Sequence, residues 1–402
     1  MDTTEFMSRR ALIGAGSFGV AGALGAAALY SSKALAQTPP TAPGFIYKSI
    51  IDYGASPNAS GDQTSAIQDA LNDLKSNDCL VFPPGIYNVT TGVLNISQAL
   101  KNVQILGYGA VLQVTDAASG TNHDVLSLGL GLTNQYLQDL RIDGLKISSF
   151  YTTSGSGIVL SNSIRVALRD VSVWNMGIYC LTATNSWWFS TQNCVFSAAG
   201  SACVNHDTAM NAVLHSHSSF TSYAFSSSSG NPVNPNSAGV IHNGGTAVHF
   251  LNCDFSSCQV AVNLKNSSNV TLQACYFENI GTGVLLGDSS NNYFAYNTTV
   301  DNCYFNLTQN SSPVIMVDVS RAQSAHIRNN SVLTKQPNLT NQSITTKTIN
   351  YDSYASNKNV IIDANRCVDG TNGGREMDFA SAIVYSDISS TNKVQKYSLE
   401  TA

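Results

Sequence analysis

The sequence predicts an all-β parallel β-helix, a solenoid in which like residues stack from coil to coil. A Cys-x-Phe triplet recurs at 194–196, 253–255, 275–277 and 303–305, and Ser218–Phe220 fills the first gap. The phenylalanines 196, 220, 255, 277 and 305 are therefore spaced by 24, 35, 22 and 28 residues, which is the period of a stacked repeat. Only 11% of the 402 residues are charged, under half the roughly 25% of typical globular domains.

This composition excludes several classes of protein. Disorder is not expected, because 43% of the residues are hydrophobic and the formal charge is only −5. A helical bundle would need more Lys, Glu and Arg on its exposed faces. A mildly acidic chain without basic clusters has no electrostatic means of holding nucleic acid, so we expect no nucleic-acid partner.

Residues 1–36 predict a twin-arginine signal peptide. Arg9 and Arg10 precede an uncharged run rich in Gly and Ala, and Ala34–Ala36 forms a small-x-small cleavage site. A membrane anchor is the alternative, but the run is only weakly apolar. We therefore expect a bacterial protein that is periplasmic or secreted and keeps no stable membrane anchor after cleavage.

The mature chain is expected to start with a linker at 37–48 and to continue as one domain at 49–402. The apolar spacing after Gly61 predicts a helix, because Ala66, Ile67, Ala70 and Leu71 share one face. Leu80–Phe82 predicts a strand. The tail from about residue 340 is less regular and is expected to cap the far end.

A family resemblance rests on this amino-terminal region. Asp52-Tyr53-Gly54-Ala55, then Gly61-Asp62-x-Thr64-x-Ala66-Ile67-Gln68, then Val81-Phe82-Pro83-Pro84-Gly85-x-Tyr87 resembles the signature of the pectate-lyase-like (pectin lyase-like) superfamily. The motif covers about residues 50–88, and the coil repeat extends the likeness to about residue 335. The resemblance implies a right-handed parallel β-helix with an N-terminal capping helix. It also implies a polysaccharide or oligosaccharide partner, held on the outer face of one sheet between turn loops.

The coils can be phased by their corner residues. Polar residues fall one position before each Cys or its equivalent, and stacked Asn side chains at such corners can hydrogen-bond along the axis: Asp170, Asn193, His217, Asn252 and Asn302. The nine cysteines are interpreted as stacked free thiols rather than as disulfides or a metal site. The step from Phe220 to Phe255 is longer than the others, because the Ser-, Pro- and Asn-rich segment 223–238 is inserted. Long loops in repeats are often functional.

The predicted catalytic residues flank this insertion, where five of the seven histidines lie between positions 206 and 249. Asp207 could be a general acid or base, or could bind a cation; the alternative is a solvated strand end. Lys265 could take a proton next to a carboxylate or pair with the carboxylate. His206 and His242 lie one coil apart. They could form an exposed pair that holds the sugar or moves protons, or they could be packed residues.

Strand alternation places further residues on the same outward face. Asn205, Asn243 and Asn263 are predicted to bind substrate. Tyr179 and Trp187 are predicted to stack on sugar rings, with plain packing as the alternative. No metal-binding motif occurs, so no cofactor is expected, and a calcium site has no supporting motif.

The reaction stays open at this stage. The aspartate and histidine motifs of polygalacturonases and alginate epimerases are absent, as are the dense aspartates of calcium-dependent pectate lyases. The first hypothesis is an enzyme that cleaves an extracellular polysaccharide. Lyase-type β-elimination is favoured over polygalacturonase-like hydrolysis, because Asp207 has only Asp254 and Asp288 as candidate partners. The second is a non-catalytic glycan-binding or surface-structural solenoid. The chain could also form a homo-oligomer.

Overall fold

The structure, a computed structural model, describes residues 44–115, 123–149, 155–222, 237–287, 294–307, 315–319, 321–334, 349–350, 360–369, 375–378, 382–385 and 393–396. The predicted signal peptide, linker residues 37–43 and most of the long insertion (223–236) lie outside these residues. The described strands and helices fall within one unit, Ile46–Ala402. Among the described helices, none has the length and apolar character needed to cross a membrane.

Almost all of the described regular structure is β-strand, in one sheet of 22 strands and one of 12. The 22-stranded sheet A contains β1 (Ile46–Ser49), β2 (Asp78–Val81), β4 (Asn95–Ile96), β5 (Lys101–Leu106), β7 (Leu126–Leu128), β8 (Leu137–Asp143), β10 (Ile158–Ile164), β11 (Ala167–Arg169), β13 (Tyr179–Trp187), β14 (Ser190–Gln192), β16 (Ala202–His206), β17 (Met210–Ser216), β19 (Ala238–Leu251), β21 (Val260–Gln273), β23 (Thr282–Leu286), β24 (Ala295–Asp301), β26 (Ile315–Asp318), β27 (Ala325–Arg328), β29 (Ile349–Asn350), β30 (Val360–Asp363), β33 (Ala382–Tyr385) and β34 (Lys393–Lys396). The 12-stranded sheet B contains β3 (Gly85–Val89), β6 (Ala110–Val114), β9 (Lys146–Ser149), β12 (Ser172–Met176), β15 (Val195–Ala199), β18 (Ser219–Thr221), β20 (Asp254–Ser256), β22 (Tyr276–Glu278), β25 (Tyr304–Leu307), β28 (Ser331–Thr334), β31 (Arg366–Asp369) and β32 (Arg375–Asp378).

From β1 to β31 the strands pair in parallel from one coil to the next, as a parallel β-helix requires, whereas β32, β33 and β34 join by antiparallel pairing. The five repeat phenylalanines are successive register partners, and all are buried: Phe196, Phe220, Phe255, Phe277 and Phe305. Their ring centroids lie 4.3–5.8 Å apart in stacked pairs. The predicted phenylalanine ladder is therefore confirmed. Eight described cysteines carry buried free thiols, as the sequence predicts.

The corner that precedes sheet B is a ladder of left-handed residues. Asp170, Asn193, His217 and Asn252 have φ of 51–54°, a conformation that Asn and Asp tolerate better than most residues. Asn193 donates from Nδ2 to Asp170 Oδ1 (2.5 Å), and Asn252 Nδ2 lies 3.3 Å from His217 Nε2. The predicted ladder is confirmed, and the left-handed turn explains its composition.

The predicted amino-terminal helix is present as α1 (Thr64–Asn72), after a 3₁₀ helix, η1 (Ile50–Tyr53). Ile67, Ala70 and Leu71 are buried from α1 and belong to the continuous core. This matches the spacing of apolar residues in the sequence. The capping role of α1 and the right-handed sense of the coil stay predictions.

Candidate functional site

The first strand of each coil presents two rows of side chains on the outside of sheet A, the first mixed and the second polar. One row runs through Val159, Thr182, Asn205, Ile241, Asn263 and Leu285, which are register partners on successive coils. The second row lies two residues further along each strand and contains Thr184, Asp207, Asn243 and Lys265. We call these two rows the first face. All of their residues are half-buried, so a ligand could reach side chains that the coil already holds in place.

The second row brings three predicted residues together. Asn243 and Lys265 are direct register partners. Asp207 follows His206, the register partner of His242, and its amide donates to Ala183 O at 2.8 Å. Parallel strands lie about 4.8 Å apart, so Asp207 and Lys265 are separated by about 10 Å along the axis. This places a carboxylate, an amide and an ammonium on three consecutive coils.

Two of the predicted catalytic residues, His206 and His242, do not lie on the first face, so their predicted catalytic role is wrong. His206 and His242 have no exposed surface. Successive side chains of a strand alternate between its two faces, so when Asn205 and Asp207 point outward His206 must point inward. Neither histidine can contact a glycan on the first face. The alternative of packed interior residues is the one observed.

The interior histidines form a cluster with His215. His206 Nε2 lies 3.1 Å from His215 Nε2, and His215 Nδ1 lies 2.7 Å from the Thr191 hydroxyl. Nδ1 of His206 and both ring nitrogens of His242 have no hydrogen-bond partner among the described residues. Such buried, unpaired polar atoms are costly.

Burial dominates the acid–base behaviour of this cluster. It lowers the pKa of His215 to about 3 and that of His242 to about 4. The pKa of His206 falls well below its usual range, first because of burial and then because of the two neighbouring rings. A cluster that stays neutral at moderate pH cannot supply a general acid.

The predicted aromatic residues differ in exposure. Tyr179 is half-buried at the start of β13. Trp187 is also half-buried and packs against Tyr136 at a centroid distance of 5.1 Å. Trp188 is the exposed member of the tryptophan pair, at 59%, because it occupies a left-handed corner with φ of 55°.

The candidate carboxylate partners of Asp207 do not join it within the described structure. Asp254 lies in β20 of sheet B, on a different face from Asp207. Burial, supported by Glu278, raises the pKa of Asp254 to about 6. Asp288 lies outside the described residues. Asp254 is therefore not a partner of Asp207, which corrects the prediction.

A polar cleft that sequence reasoning missed lies on another side of the coil. It has a volume of about 530 Å³ and includes Tyr108, Arg141, Arg169 and Gln192. Arg165, on the same coil, is paired with Asp139 (Nη2–Oδ2 2.8 Å). The sequence does contain a signal for this cleft. A Leu-Arg pair is followed by an aspartate at both 140–143 and 168–170, about one coil apart.

No group of three or more His, Cys, Asp or Glu side chains is arranged to hold a metal ion within the part of the chain that the structure describes.

Parallel coils, a buried phenylalanine ladder and a polar outer face define a β-helix protein of the pectate-lyase-like superfamily. The family model described as "Rhamnogalacturonase A/epimerase, pectate lyase-like" matches residues 47–308, and the chain belongs to this family. No curated protein matches the sequence directly.

Three solved structures show the same fold at low sequence identity. The surface adhesin PfbA of Streptococcus pneumoniae is 12% identical, with a TM-score of 0.56 over 88% of this chain and 99% of that one. The A-module of the Azotobacter vinelandii mannuronan C-5 epimerase AlgE4 is 13% identical, with a TM-score of 0.54 over 81% and 96%. The Dettilon tailspike protein gp208 is 13% identical, with a TM-score of 0.51 over 80% and 70%. These likenesses concern the fold alone.

Proposed function

We propose that this protein is an exported enzyme that cleaves an extracellular polysaccharide containing acidic sugars, by β-elimination on the first face. The observation that carries the proposal is the row of Asp207, Asn243 and Lys265 on three consecutive coils. Membership of a family described by a rhamnogalacturonase and an epimerase supports a polysaccharide substrate. A polymer lying along the axis would meet new side chains about every 4.8 Å.

The proposed chemistry divides the work between two charged residues. Lys265 pairs with the sugar carboxylate, which stabilises negative charge on the neighbouring carbon. Asp207 takes the proton from that carbon as a general base. The electron pair forms a carbon–carbon double bond, the bond to the leaving sugar oxygen breaks, and that oxygen takes up a proton. Asn205, Asn243 and Asn263 hold sugar hydroxyls beside the reacting unit.

Elimination is favoured over hydrolysis by the spacing of carboxylates. Inverting hydrolysis needs two carboxyl groups roughly 6.5–9.5 Å apart. In the two rows of the first face, the next described carboxylate is Asp318, a register partner of Leu285. It lies four coils from the position of Asn205, which is about 19 Å along the axis. This is too far for a hydrolytic pair with Asp207.

The test is incubation with a panel of plant and bacterial polysaccharides. Ultraviolet absorbance of an unsaturated uronate is expected, and Asp207→Asn and Lys265→Ala should each lower its rate at least a hundredfold. Asp254→Asn, the same substitution on sheet B, is the matched control and should keep the rate. New reducing ends without absorbance would instead indicate a glycoside hydrolase. Binding without any product would indicate a glycan-binding or structural solenoid.

The export part of the proposal rests on residues 1–36. Their fusion to a folded reporter should carry the reporter to the periplasm. Replacing Arg9 and Arg10 by lysine should leave it in the cytoplasm. A reporter that stays inside the cell with the native pair would refute this part.

A further inference from the structure

We propose that the polar cleft around Arg169 is a separate binding site for a carboxylate-bearing sugar unit. We call it the Arg169 cleft and define it by Tyr108, Arg141, Arg169, Asp170, Gln192 and His217. It lies at the corner ladder and on the strands that precede it, β8, β11 and β14. These strands come after the first face along each coil, so the cleft is distinct from the Asp207 row.

The cleft contains a guanidinium that the fold does not use. Arg169 is exposed, and its guanidinium makes no hydrogen bond or ion pair with any described residue; its backbone carbonyl accepts the Gly144 N–H at 2.9 Å. Its sequence neighbour Asp170 is already occupied. Asp170 accepts Asn193 Nδ2 on Oδ1 (2.5 Å) and the Tyr108 hydroxyl on Oδ2 (2.9 Å). The N–H donors of the Arg169 guanidinium are therefore available to a ligand.

A second arginine supports the same conclusion. Arg141 contacts Asp143 through Nε, at 2.8 Å from Oδ1. Asp143 is 1% exposed and also accepts Gln104 Nε2 at 3.0 Å. Asp143 is the register partner of Arg169, and Arg141 lies two residues before it. The two arginine backbones are thus about 8 Å apart, close enough for both side chains to converge on one anion.

The remaining residues suit a sugar more than a free anion. Tyr108 is 54% exposed and lines the cleft together with the two arginines. Partial burial and the hydrogen bond to Asp170 raise the pKa of Tyr108, so its hydroxyl stays protonated. Gln192, the register partner of Arg169, adds an exposed amide. Arginine binds carboxylates in two-point contacts, and aromatic and amide groups bind the ring and hydroxyls of a sugar.

The ring of Tyr108 is positioned by a glycine. Gly144 has φ of 72°, and a Cβ there would clash with Cδ1 of the Tyr108 ring. Any other residue would push the ring away from Asp170. The lack of a side chain at Gly144 therefore leaves the space that the Tyr108 ring occupies.

The test uses trigalacturonate and its fully methyl-esterified form, titrated calorimetrically into the full-length Lys265→Ala variant, in which the first face is weakened. We expect the acid to bind at least tenfold more tightly than the ester. Arg169→Gln should remove this preference, a loss of tenfold or more in affinity. Arg165→Gln changes the same charge on the same coil and should keep affinity within twofold.

Equal affinity of Arg169→Gln and its parent for trigalacturonate would overturn the proposal, as would absence of binding to the parent. Thermal unfolding separates these results from misfolding, because Arg169 is exposed and unpaired and its replacement should not shift the midpoint. Product formation from polysaccharide tests the first face independently. The two proposals can therefore fail separately.

Discussion

Replacing His242 with leucine is expected to make the protein more resistant to acid. His242 is buried, and its two ring nitrogens have no hydrogen-bond partner in the described structure. Its register partner on the next coil is Leu264, so the coil already accommodates leucine at this position. The substitution removes a titratable group while keeping an apolar side chain of similar volume in the core.

The magnitude follows from the pKa of the imidazole. Burial lowers the pKa of His242 from 6.5 to about 4, and the nearby Gly245 backbone offsets part of this. The unfolded chain takes up a proton below pH 6.5, whereas the folded chain does so only near pH 4. Stability is therefore lost as the pH falls between these values. The loss is about 1.4 kcal/mol per pH unit, or about 2 kcal/mol at pH 5.

His215 follows the same rule, with a folded pKa of about 3. It adds a further loss of about 2 kcal/mol at pH 5 in the wild type. The pKa of His206 is shifted in the same direction. The histidines should therefore cost the wild type at least about 4 kcal/mol between pH 7.5 and 5, and protonation of Asp254, with its pKa of about 6, should return about 1.4 kcal/mol of that loss. His242→Leu should lose about 2 kcal/mol less, and should gain about 1 kcal/mol at pH 7.5 because unpaired nitrogens are removed.

Urea unfolding followed by tryptophan fluorescence at pH 7.5 and 5 would measure these free energies. His249→Leu is the control, because His249 is an exposed histidine of the same strand, β19. It should keep the pH dependence of the wild type. If His242→Leu loses as much stability between the two pH values as the wild type does, the account of a buried neutral imidazole is wrong.

Four further substitutions, at three positions, test the architecture. Gly144→Ala should lower the free energy of unfolding by about 1–2 kcal/mol because its backbone is left-handed, and it should displace Tyr108 from Asp170. A lower thermal midpoint and a moved Tyr108 ring in a crystal structure would show this, whereas unchanged stability would contradict the account. Asn330→Ala should cost about 2–5 kcal/mol in urea unfolding, since Asn330 is fully buried and bonds a backbone N–H and a carbonyl on the preceding coil (2.8 and 3.0 Å); a loss below 1 kcal/mol would argue against those bonds. Phe255→Ala should cost about 3–5 kcal/mol and Phe255→Leu less than half of that, because a stacked ring leaves a cavity; equal losses in the same assay would contradict the ladder.

Much of the fold follows from local sequence patterns. The Cys-x-Phe triplet marks the entry into sheet B, since the small thiol fits inside the tight corner and the ring fills the core. Asn193 and Asn252 mark the left-handed turns. Strand alternation then predicts that Asp207 and Lys265 face outward, as observed.

The assignment of histidines was the clearest failure. His206 and Asp207 are adjacent in a polar stretch, so the sequence predicts that both belong to one site. Alternation separates them onto opposite sides of the strand wall, so His206 joins the core while Asp207 meets solvent. Histidines inside a β-helix cannot be recognised from composition, because their partners Thr191 and His215 come from neighbouring strands.

The repeat, its corners and the outward rows can be predicted from the amino-acid pattern, because each depends on residues within one coil. Which coils contribute to one cleft depends on how the coils stack, and this is seen only in the folded chain. Tyr108 and Asp170 are 62 residues apart, yet they share a hydrogen bond. Coils of unequal length hide such contacts in the sequence, whereas the regular spacing of stacked strands brings them together in space.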